Sequence, residues 1–462
     1  MPANNPLVKA PVGTSQKIAD YISSVCSQEL PDMVAIKTKS HLLDSLAAII
    51  SGSRLKAGRL ATDFIATQGG TKESSIFGTN IRTTAINAAL TNGIFAHADE
   101  TDDSHLEGRF HPGCAVVPAA LAIGESQRSS GLEVLRAVAA GYDIGARFSM
   151  ALGFTRPRSG THSTHSIGAL FGATAAAGSL MTFNREQALS MLSYSVQQTS
   201  GIAYWERDFE HVEKAFDFGG MGARNGVFSA VIVSKGLTGV QDPLEGPNNY
   251  LSAFAENPNA NCLVSELGER FEILNASIKK WCVGSPIQAA LDAVEVVLEQ
   301  GLKREEIEHI NIIIPDDRLM IVNNREMPDV CLQHLVAVAL IDGGLTFDTA
   351  HNHKRMKDPE VFSMREKMTV VPSPELTVAK PARQAILEVK TRGGKLFRHH
   401  TKAVRGTPDN PMTVDDISTK AIDLIAPIIG EKAAIGVTDA VWNLEKLDDI
   451  NHLSLLIKGD SK

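Results

Sequence analysis

The sequence predicts a mainly α-helical protein that carries a separate, smaller α+β domain in its second half. In residues 1–267, apolar side chains recur at helical spacing in segments that Gly, Pro or polar residues separate. Strand-like and helical segments alternate in residues 268–408, which is typical of an α+β domain. Residues 409–462 return to helical spacing, and we expect them to pack back on the first domain.

Particular segments support each part of this prediction. The first part contains KSHLLDSLAAIISG, TTAINAALTNGIFAHA, GCAVVPAALAIGESQ and HSIGALFGATAAAGSLM, whose many Ala and Gly residues allow helices to approach closely. In the second part, EHINIIIPD predicts a strand, and QAILEVKTRGGKLFRHHTKAV predicts a hairpin that turns at Gly393-Gly394. GSPIQAALDAVEVVLEQG and VCLQHLVAVALIDGGL are the helices between them, TPDNP is a linker, and VDDISTKAIDLIAPII restores the helical pattern.

Composition excludes several classes of protein. A net charge of −8 argues against nucleic acid or an anionic membrane as partner. The five cysteines form no CxxC pair, which disfavours a disulfide framework, structural zinc or an iron–sulfur cluster. We find no signal-type leader and no apolar segment of membrane-spanning length, so we expect a cytoplasmic protein.

The densest group of ionisable residues is HADETDDSH, residues 97–105, followed by His-Pro-Gly at 111–113. If the preceding helix continues through the acids, His97, Glu100 and Ser104 share one face, and the aspartates share the next. Carboxylates mixed with imidazoles can separate their pKa values, which acid–base chemistry requires. The alternative is a solvated helix end, but the flanking segments are apolar and the Pro-Gly pair fixes the backbone direction.

Other candidates are histidines and lysines placed to bind an anion. His162 and His165 precede a small-residue helix, whose N-terminus favours negative charge. Lys214 is expected to bind a substrate carboxylate, and Lys279 lies where the second domain begins. The glycines of residues 219–226 follow no predicted strand, so they do not indicate a dinucleotide loop.

A metal site is the competing interpretation of the acidic cluster. The acceptable ligands are His97, Asp99, Asp102, His105 and His111. Their spacing matches no dedicated metal-binding signature, and we therefore expect no metal.

With these residues identified, the chain resembles the MmgE/PrpD family over nearly its whole length. The resemblance depends on HADETDDSH with the following HPG, the segment from His162 to FGATAAAG, ARNG, and IKKW at the change of domain. It implies a large all-helical domain formed by both ends of the chain, an inserted α+β lid domain and a homodimer. It also implies an interdomain cleft that acts on small polycarboxylates without a metal or organic cofactor.

The resemblance also implies roles for individual residues. Glu100 corresponds to the family's acidic active-site residue, with Asp103 and Ser104 beside it. The catalytic imidazoles correspond to His111 and His162, and the carboxylate-binding lysines to Lys214 and Lys279. His105 and His165 are added as substrate-binding candidates. Two positions depart from the decarboxylases of the family, in which His stands at the position of Gly284 and Tyr near Val322.

These observations favour a cofactor-independent lyase that dehydrates a hydroxylated di- or tricarboxylate, or hydrates the unsaturated acid. His111 or His162 would serve as base and acid, while Glu100 and Asp103 orient the imidazole. Ser104 would donate a hydrogen bond to the substrate. Epimerisation, isomerisation or decarboxylation of a related acid, a metal-dependent hydrolase and a non-catalytic helical scaffold are the alternatives.

Overall fold

The computed structural model describes residues 10–153, 161–203, 205–255 and 257–457. It divides into two compact units. The helical unit comprises Met1–Ala98, Asp102–Ala276 and Val414–Lys462, and the inserted unit comprises Asp99–Thr101 and Ser277–Thr413. The predicted fold class, mainly α with a smaller α+β region, is confirmed.

The first part of the helical unit contains eleven α-helices among the described residues. Their bounds are α1 (Thr14–Ser24), α2 (Asp32–Gly52), α3 (Lys56–Ala66), α4 (Ala85–Ala96), α5 (Gly113–Gln127), α6 (Gly131–Ala151), α7 (Thr164–Leu180), α8 (Arg185–Gln197), α9 (Glu213–Ala215), α10 (Met221–Ser234) and α11 (Tyr250–Phe254). Short strands are β1 (Ser74–Ser75), β2 (Arg82–Thr83), β3 (Ser104–His105) and β4 (Ala276–Ser277).

Small residues allow the central helices of this unit to pack closely. Helix α7 packs against α6 and α10, and α4 packs against α5. A Cβ added at Gly145 of α6 would lie 2.7 Å from the carbonyl oxygen of Gly168 in α7. Burial of apolar helix faces drives this association, and the small size of glycine allows the two helix backbones to lie this close together.

The C-terminal residues belong to the helical unit. They form α18 (Val414–Ile429), α19 (Glu431–Trp442) and α20 (Asn451–Ile457). Helix α18 packs on α2, where Lys420 Nζ lies 2.6 Å from Asp44 Oδ1 in a buried ion pair. Burial raises the pKa of Asp44 to about 6, although Lys420 opposes that rise.

The inserted unit is built on a four-stranded sheet with strand order β6-β5-β7-β8. Strands β5 (Ile307–Pro315) and β6 (Met368–Ser373) are parallel, whereas β7 (Ala385–Thr391) and β8 (Leu396–Thr401) form an antiparallel hairpin. Gly394 adopts a φ of +82° in the turn of this hairpin, at the place that the sequence predicted.

The described residues of the inserted unit also form six α-helices. They are α12 (Gln288–Glu299), α13 (Leu319–Val322), α14 (Leu332–Asp342), α15 (Phe347–Ala350), α16 (Pro359–Arg365) and α17 (Pro374–Val378). Side chains from α12 and α14 and from β5 and β7 form one buried cluster, which is the core of this unit. Among the described residues, no helix is both long enough and apolar enough to cross a membrane.

Candidate active site

The acidic segment is not a continuation of the helix that precedes it. Helix α4 ends at Ala96, and residues 97–103 form turns and bends. The helical faces expected for these acids are therefore absent, and each side chain points toward its own partner. The solvated alternative is also wrong, since Asp102 and Asp103 are fully buried and Glu100 is 5% exposed.

Asp102 is shared by two imidazoles. Its carboxylate oxygens lie 2.9 Å from Nδ1 of His97 and 3.2 Å from Nδ1 of His111. Burial raises the pKa of Asp102, but the two imidazoles outweigh burial and hold that pKa well below its ordinary value. An ionised carboxylate accepts hydrogen bonds only, so each Nδ1 donates and each Nε2 is left as the basic nitrogen of its ring.

Asp103 fixes the backbone that follows His111. Its carboxylate lies 2.6 Å from Nδ1 of His41, and it accepts hydrogen bonds from the Tyr142 hydroxyl at 2.6 Å and from the Gly113 amide at 2.9 Å. Because Gly113 begins α5, these contacts fix the turn between His111 and that helix. The imidazole that contacts Asp103 at hydrogen-bond distance is thus that of His41, whereas the sequence predicted that Asp103 orients His111 or His162.

A π-helix at Phe216–Gly220 brings an aromatic ring between the imidazoles. Phe218 stacks on His165 with ring centroids 3.8 Å apart and on His97 at 4.4 Å. The His111 ring lies 5.4 Å from that of His165 and 4.9 Å from that of His97. Single turns of π-helix are frequent at functional sites, since they redirect side chains that a regular helix would place elsewhere.

Lys214 supplies a cation beside this ring cluster. Its Nζ lies 5.1 Å from the Phe218 ring centroid and 5.2 Å from that of Trp205, and the residue is 7% exposed. Asp208 accepts a hydrogen bond from the Lys214 amide at 2.8 Å and so fixes the start of α9. The helical unit thus places an ammonium group and three imidazoles around one aromatic ring, which is a suitable environment for a small anion.

Three other predicted residues of this unit have different surroundings. The His162 ring lies 5.7 Å from that of Phe254, and its backbone pairs with Ile202. His105 Nδ1 accepts a hydrogen bond from the Gly108 amide at 2.9 Å, and its Nε2 lies 3.5 Å from Glu272. Ser104 is buried in β3.

His105 has a structural effect on Glu272. Burial raises the pKa of this carboxyl, but His105, Asn275 and Arg270 together lower it to about 2. The His105–Glu272 pair helps to hold these two segments of the helical unit together, and substrate binding by His105 stays a prediction.

Glu100 and Lys279 meet inside the inserted unit. Lys279 Nζ donates to the Glu100 carbonyl oxygen at 2.7 Å and lies 3.2 Å from its carboxylate. Asp99 accepts hydrogen bonds from the amide and hydroxyl of Thr101 at 2.8 and 2.7 Å, and it lies 3.0 Å from Nε2 of His351. Two cationic side chains therefore hold the segment Asp99–Thr101.

Sequence analysis missed His41, His351 and Phe218 as contributors. Both histidines are distant along the chain from their aspartate partners, and no local pattern marks them. Phe218 directly precedes the glycines of residues 219–226, which were considered as a nucleotide loop and, in ARNG, as part of the family resemblance. The aromatic pair FDF before GGMG was the one available signal.

Among the described residues, one group of possible metal ligands lies wholly within the helical unit. His97, Asp102 and Cys114 place one ligand atom each within 4.8 Å of one another. The Cys114 thiol lies 3.1 Å from the carbonyl oxygen of His111, a hydrogen-bond distance for a protonated thiol. Two of the five metal ligands considered from the sequence have partners outside that set: His105 contacts Glu272, and Asp99 contacts His351.

Comparison with known families gives this geometry a context. A model of the MmgE/PrpD N-terminal domain matches residues 16–263, and a model of the MmgE/PrpD C-terminal domain matches residues 281–444. The chain belongs to the MmgE/PrpD family. The resemblance inferred from the sequence motifs is confirmed.

Curated relatives of this MmgE/PrpD chain match it over nearly their full length. It is 24% identical to the cis-aconitate decarboxylase-like protein oryM of Aspergillus oryzae, with 96% of this chain and 97% of that protein aligned. It is 22% identical to cis-aconitate decarboxylase of Aspergillus terreus, with 96% of each aligned. Identity to cis-aconitate decarboxylase of Homo sapiens is also 22%, over 97% of this chain and 95% of that protein.

Proposed function

We propose that this protein is a lyase that dehydrates a small hydroxylated di- or tricarboxylate, or hydrates the corresponding unsaturated acid. The observation that carries the proposal is the shared carboxylate of Asp102, which holds Nδ1 of His97 and His111 and leaves Nε2 of each ring basic. The relatives named as cis-aconitate decarboxylases support the substrate class, since cis-aconitate is an unsaturated tricarboxylate.

In this mechanism, His111 removes the proton beside a substrate carboxylate. The proton is weakly acidic, so its removal requires a positioned base and cations that stabilise the developing charge. We assign the first cation to Lys214 and a second to Lys279. Because proton abstraction and loss of hydroxide need acid–base groups alone, the proposal includes no cofactor.

The second imidazole comes from the segment that contains His162 and His165. The ring of His165 lies 5.4 Å from that of His111, which supports a role in protonating the departing hydroxyl group. His162 keeps the role implied by the family resemblance, as an alternative acid. Glu100 and Ser104 are proposed to contact the substrate, and the chain is proposed to form a homodimer as the family resemblance implies.

Decarboxylation is the second candidate, since the named relatives are decarboxylases. Two positions disfavour it. Val322, near the position of the decarboxylase tyrosine, is fully buried and apolar, and Gly284 supplies no imidazole. Epimerisation shares the proton abstraction and differs only in that no group leaves.

One set of incubations separates these reactions. The protein is mixed in deuterium oxide with hydroxylated and unsaturated di- and tricarboxylates, cis-aconitate among them. Ultraviolet absorption from a new alkene, or its loss on hydration, supports the lyase. Release of carbon dioxide supports decarboxylation, and deuterium exchange with inversion but no alkene supports epimerisation. Loss of activity with chelator, together with metal found by elemental analysis, would support the hydrolase alternative.

Variants then test the assignment of the base. His111→Ala should lower kcat by at least about 10²-fold while the unfolding temperature is retained. His165→Ala and His162→Ala are compared in the same assay, and the variant with the larger loss of kcat identifies the general acid. His353→Ala, at an exposed histidine, is the matched control. A His111→Ala variant as active as the wild type would remove His111 from the mechanism.

A further inference from the structure

Arg383 of the inserted unit is a partly buried arginine with one nitrogen atom that has no hydrogen-bond acceptor among the described residues. It lies between α17 and β7, where its backbone adopts a left-handed φ of +64°. Its Nε is buried and has no hydrogen-bond partner among the described residues. Such an arrangement is unfavourable, because a buried N–H group without an acceptor loses its hydration and no hydrogen bond replaces it.

The charged groups around Arg383 are already paired with other partners. Arg318, Asp317 and Glu100 lie within electrostatic range of it. Asp317 lies 3.2 Å from Arg318 Nη2. Glu100 lies 3.2 Å from Lys279 Nζ. Each of these two carboxylates therefore has a cationic partner other than Arg383.

Burial and the Arg318 charge both lower the pKa of Arg383, to about 10. The guanidinium therefore stays charged at neutral pH while it bears the cost of desolvation. A bound anion would remove that cost, since a guanidinium matches a carboxylate through two parallel hydrogen bonds.

We propose that Arg383 binds a carboxylate of the substrate and favours tricarboxylates over dicarboxylates. The inference rests on the proposed function, because Glu100, which lies within electrostatic range of Arg383, and its partner Lys279 are proposed there to contact the substrate. Nothing in the sequence singled out this position, which lies in the segment KPARQ without a neighbouring motif.

Binding of tricarballylate, a tricarboxylate without a hydroxyl group, tests the proposal directly. Titration calorimetry compares tricarballylate, glutarate and inorganic phosphate on the wild type and on Arg383→Gln. We expect tricarballylate to bind the variant about tenfold or more weakly, and glutarate to change less. Arg398→Gln is the matched control, since Arg398 is exposed on β8 and pairs with Glu388.

The outcomes distinguish this inference from the function on which it rests. If tricarballylate does not bind the wild type, the polycarboxylate proposal fails. If it binds the wild type and Arg383→Gln within twofold of each other, or if only phosphate binding is lost, the Arg383 assignment alone is overturned. Should Arg383→Gln not fold, Arg383→Lys replaces it, because lysine keeps the charge but loses the planar fork. That variant is expected to bind tricarballylate about tenfold more weakly, and unchanged binding overturns the assignment.

Discussion

Replacement of His351 by Gln tests whether a charged imidazole holds the acidic segment of the inserted unit. The His351 Nε2 lies 3.0 Å from Asp99, and its Nδ1 lies 2.7 Å from the carbonyl oxygen of Phe347. Burial lowers the pKa of His351, but Asp99, Asp329 and the Phe347 carbonyl outweigh burial and raise it to about 9. The imidazole is therefore cationic in the folded protein at pH 7.

The magnitude follows from linkage between protonation and folding. A rise in pKa from 6.5 to about 9 corresponds to stabilisation of the folded state by roughly 3 kcal/mol. Because the folded-state pKa is the higher one, this contribution is fully present below about pH 6.5. It is lost progressively as the pH rises through 9. His351→Gln should therefore be less stable than the wild type by about 3 kcal/mol at pH 6 and nearly equal to it above pH 10.

Urea unfolding followed by circular dichroism at pH 6, 8 and 10 measures this difference. His353→Gln serves as the control, since His353 is exposed two residues away and should change stability little at any pH. A difference between wild type and His351→Gln that stays constant from pH 6 to pH 10 would refute the reasoning. It would show that His351 contributes by packing rather than by charge.

Four further predictions concern three residues of the helical unit and one glycine of the inserted unit. Asp102→Asn should retain the fold but lower kcat by about 10²- to 10⁴-fold, because the carboxylate that holds Nδ1 of both imidazoles and sets their tautomers is removed. Steady-state kinetics measures the loss of rate, and thermal unfolding checks that the fold is retained. Gly113→Ala should lower the free energy of unfolding by about 1–3 kcal/mol, since the added Cβ would lie 2.9 Å from the hydroxyl oxygen of the buried Tyr142. Gly284→Ala, whose Cβ would meet nothing nearer than 3.5 Å, should leave the urea midpoint nearly unchanged. Lys420→Met should lower the free energy of unfolding by about 3–5 kcal/mol at pH 8, because it leaves the buried Asp44 carboxylate without its cation. The loss should be smaller at pH 5, where Asp44, whose pKa is raised to about 6, is protonated in the folded protein. Urea unfolding at both pH values measures the difference.

The sequence predicted the fold class because apolar periodicity is a local signal. Helices such as α5 and α7 follow directly from their spacing, and the hairpin of β7 and β8 follows from its glycines. The boundaries of the two units could not be predicted in the same way. The inserted unit takes in Asp99–Thr101, three residues inside a helical region, and contacts in three dimensions rather than composition assign them there.

The candidate site was located from sequence, but its internal pairing was not. The acidic run was recognisable because its members are adjacent along the chain. Their partners depend on where α4 ends, and the helical spacing gave no sign that it ends at Ala96. Once the helix ends, each carboxylate points where tertiary packing allows, so Asp103 contacts His41 and Asp99 contacts His351.

In the proposed mechanism, the sharing of Asp102 by two imidazoles bears on which ring takes the abstracted proton. One carboxylate can neutralise one imidazolium, so protonation of either ring disfavours protonation of the other. His97 is fully enclosed, and burial lowers its pKa despite the contact with Asp102. The His111 side chain retains 10% exposure and forms no comparable stack on Phe218. In the proposed mechanism we therefore assign the charge formed when the substrate proton leaves to His111, and to His97 the role of holding Asp102 in place.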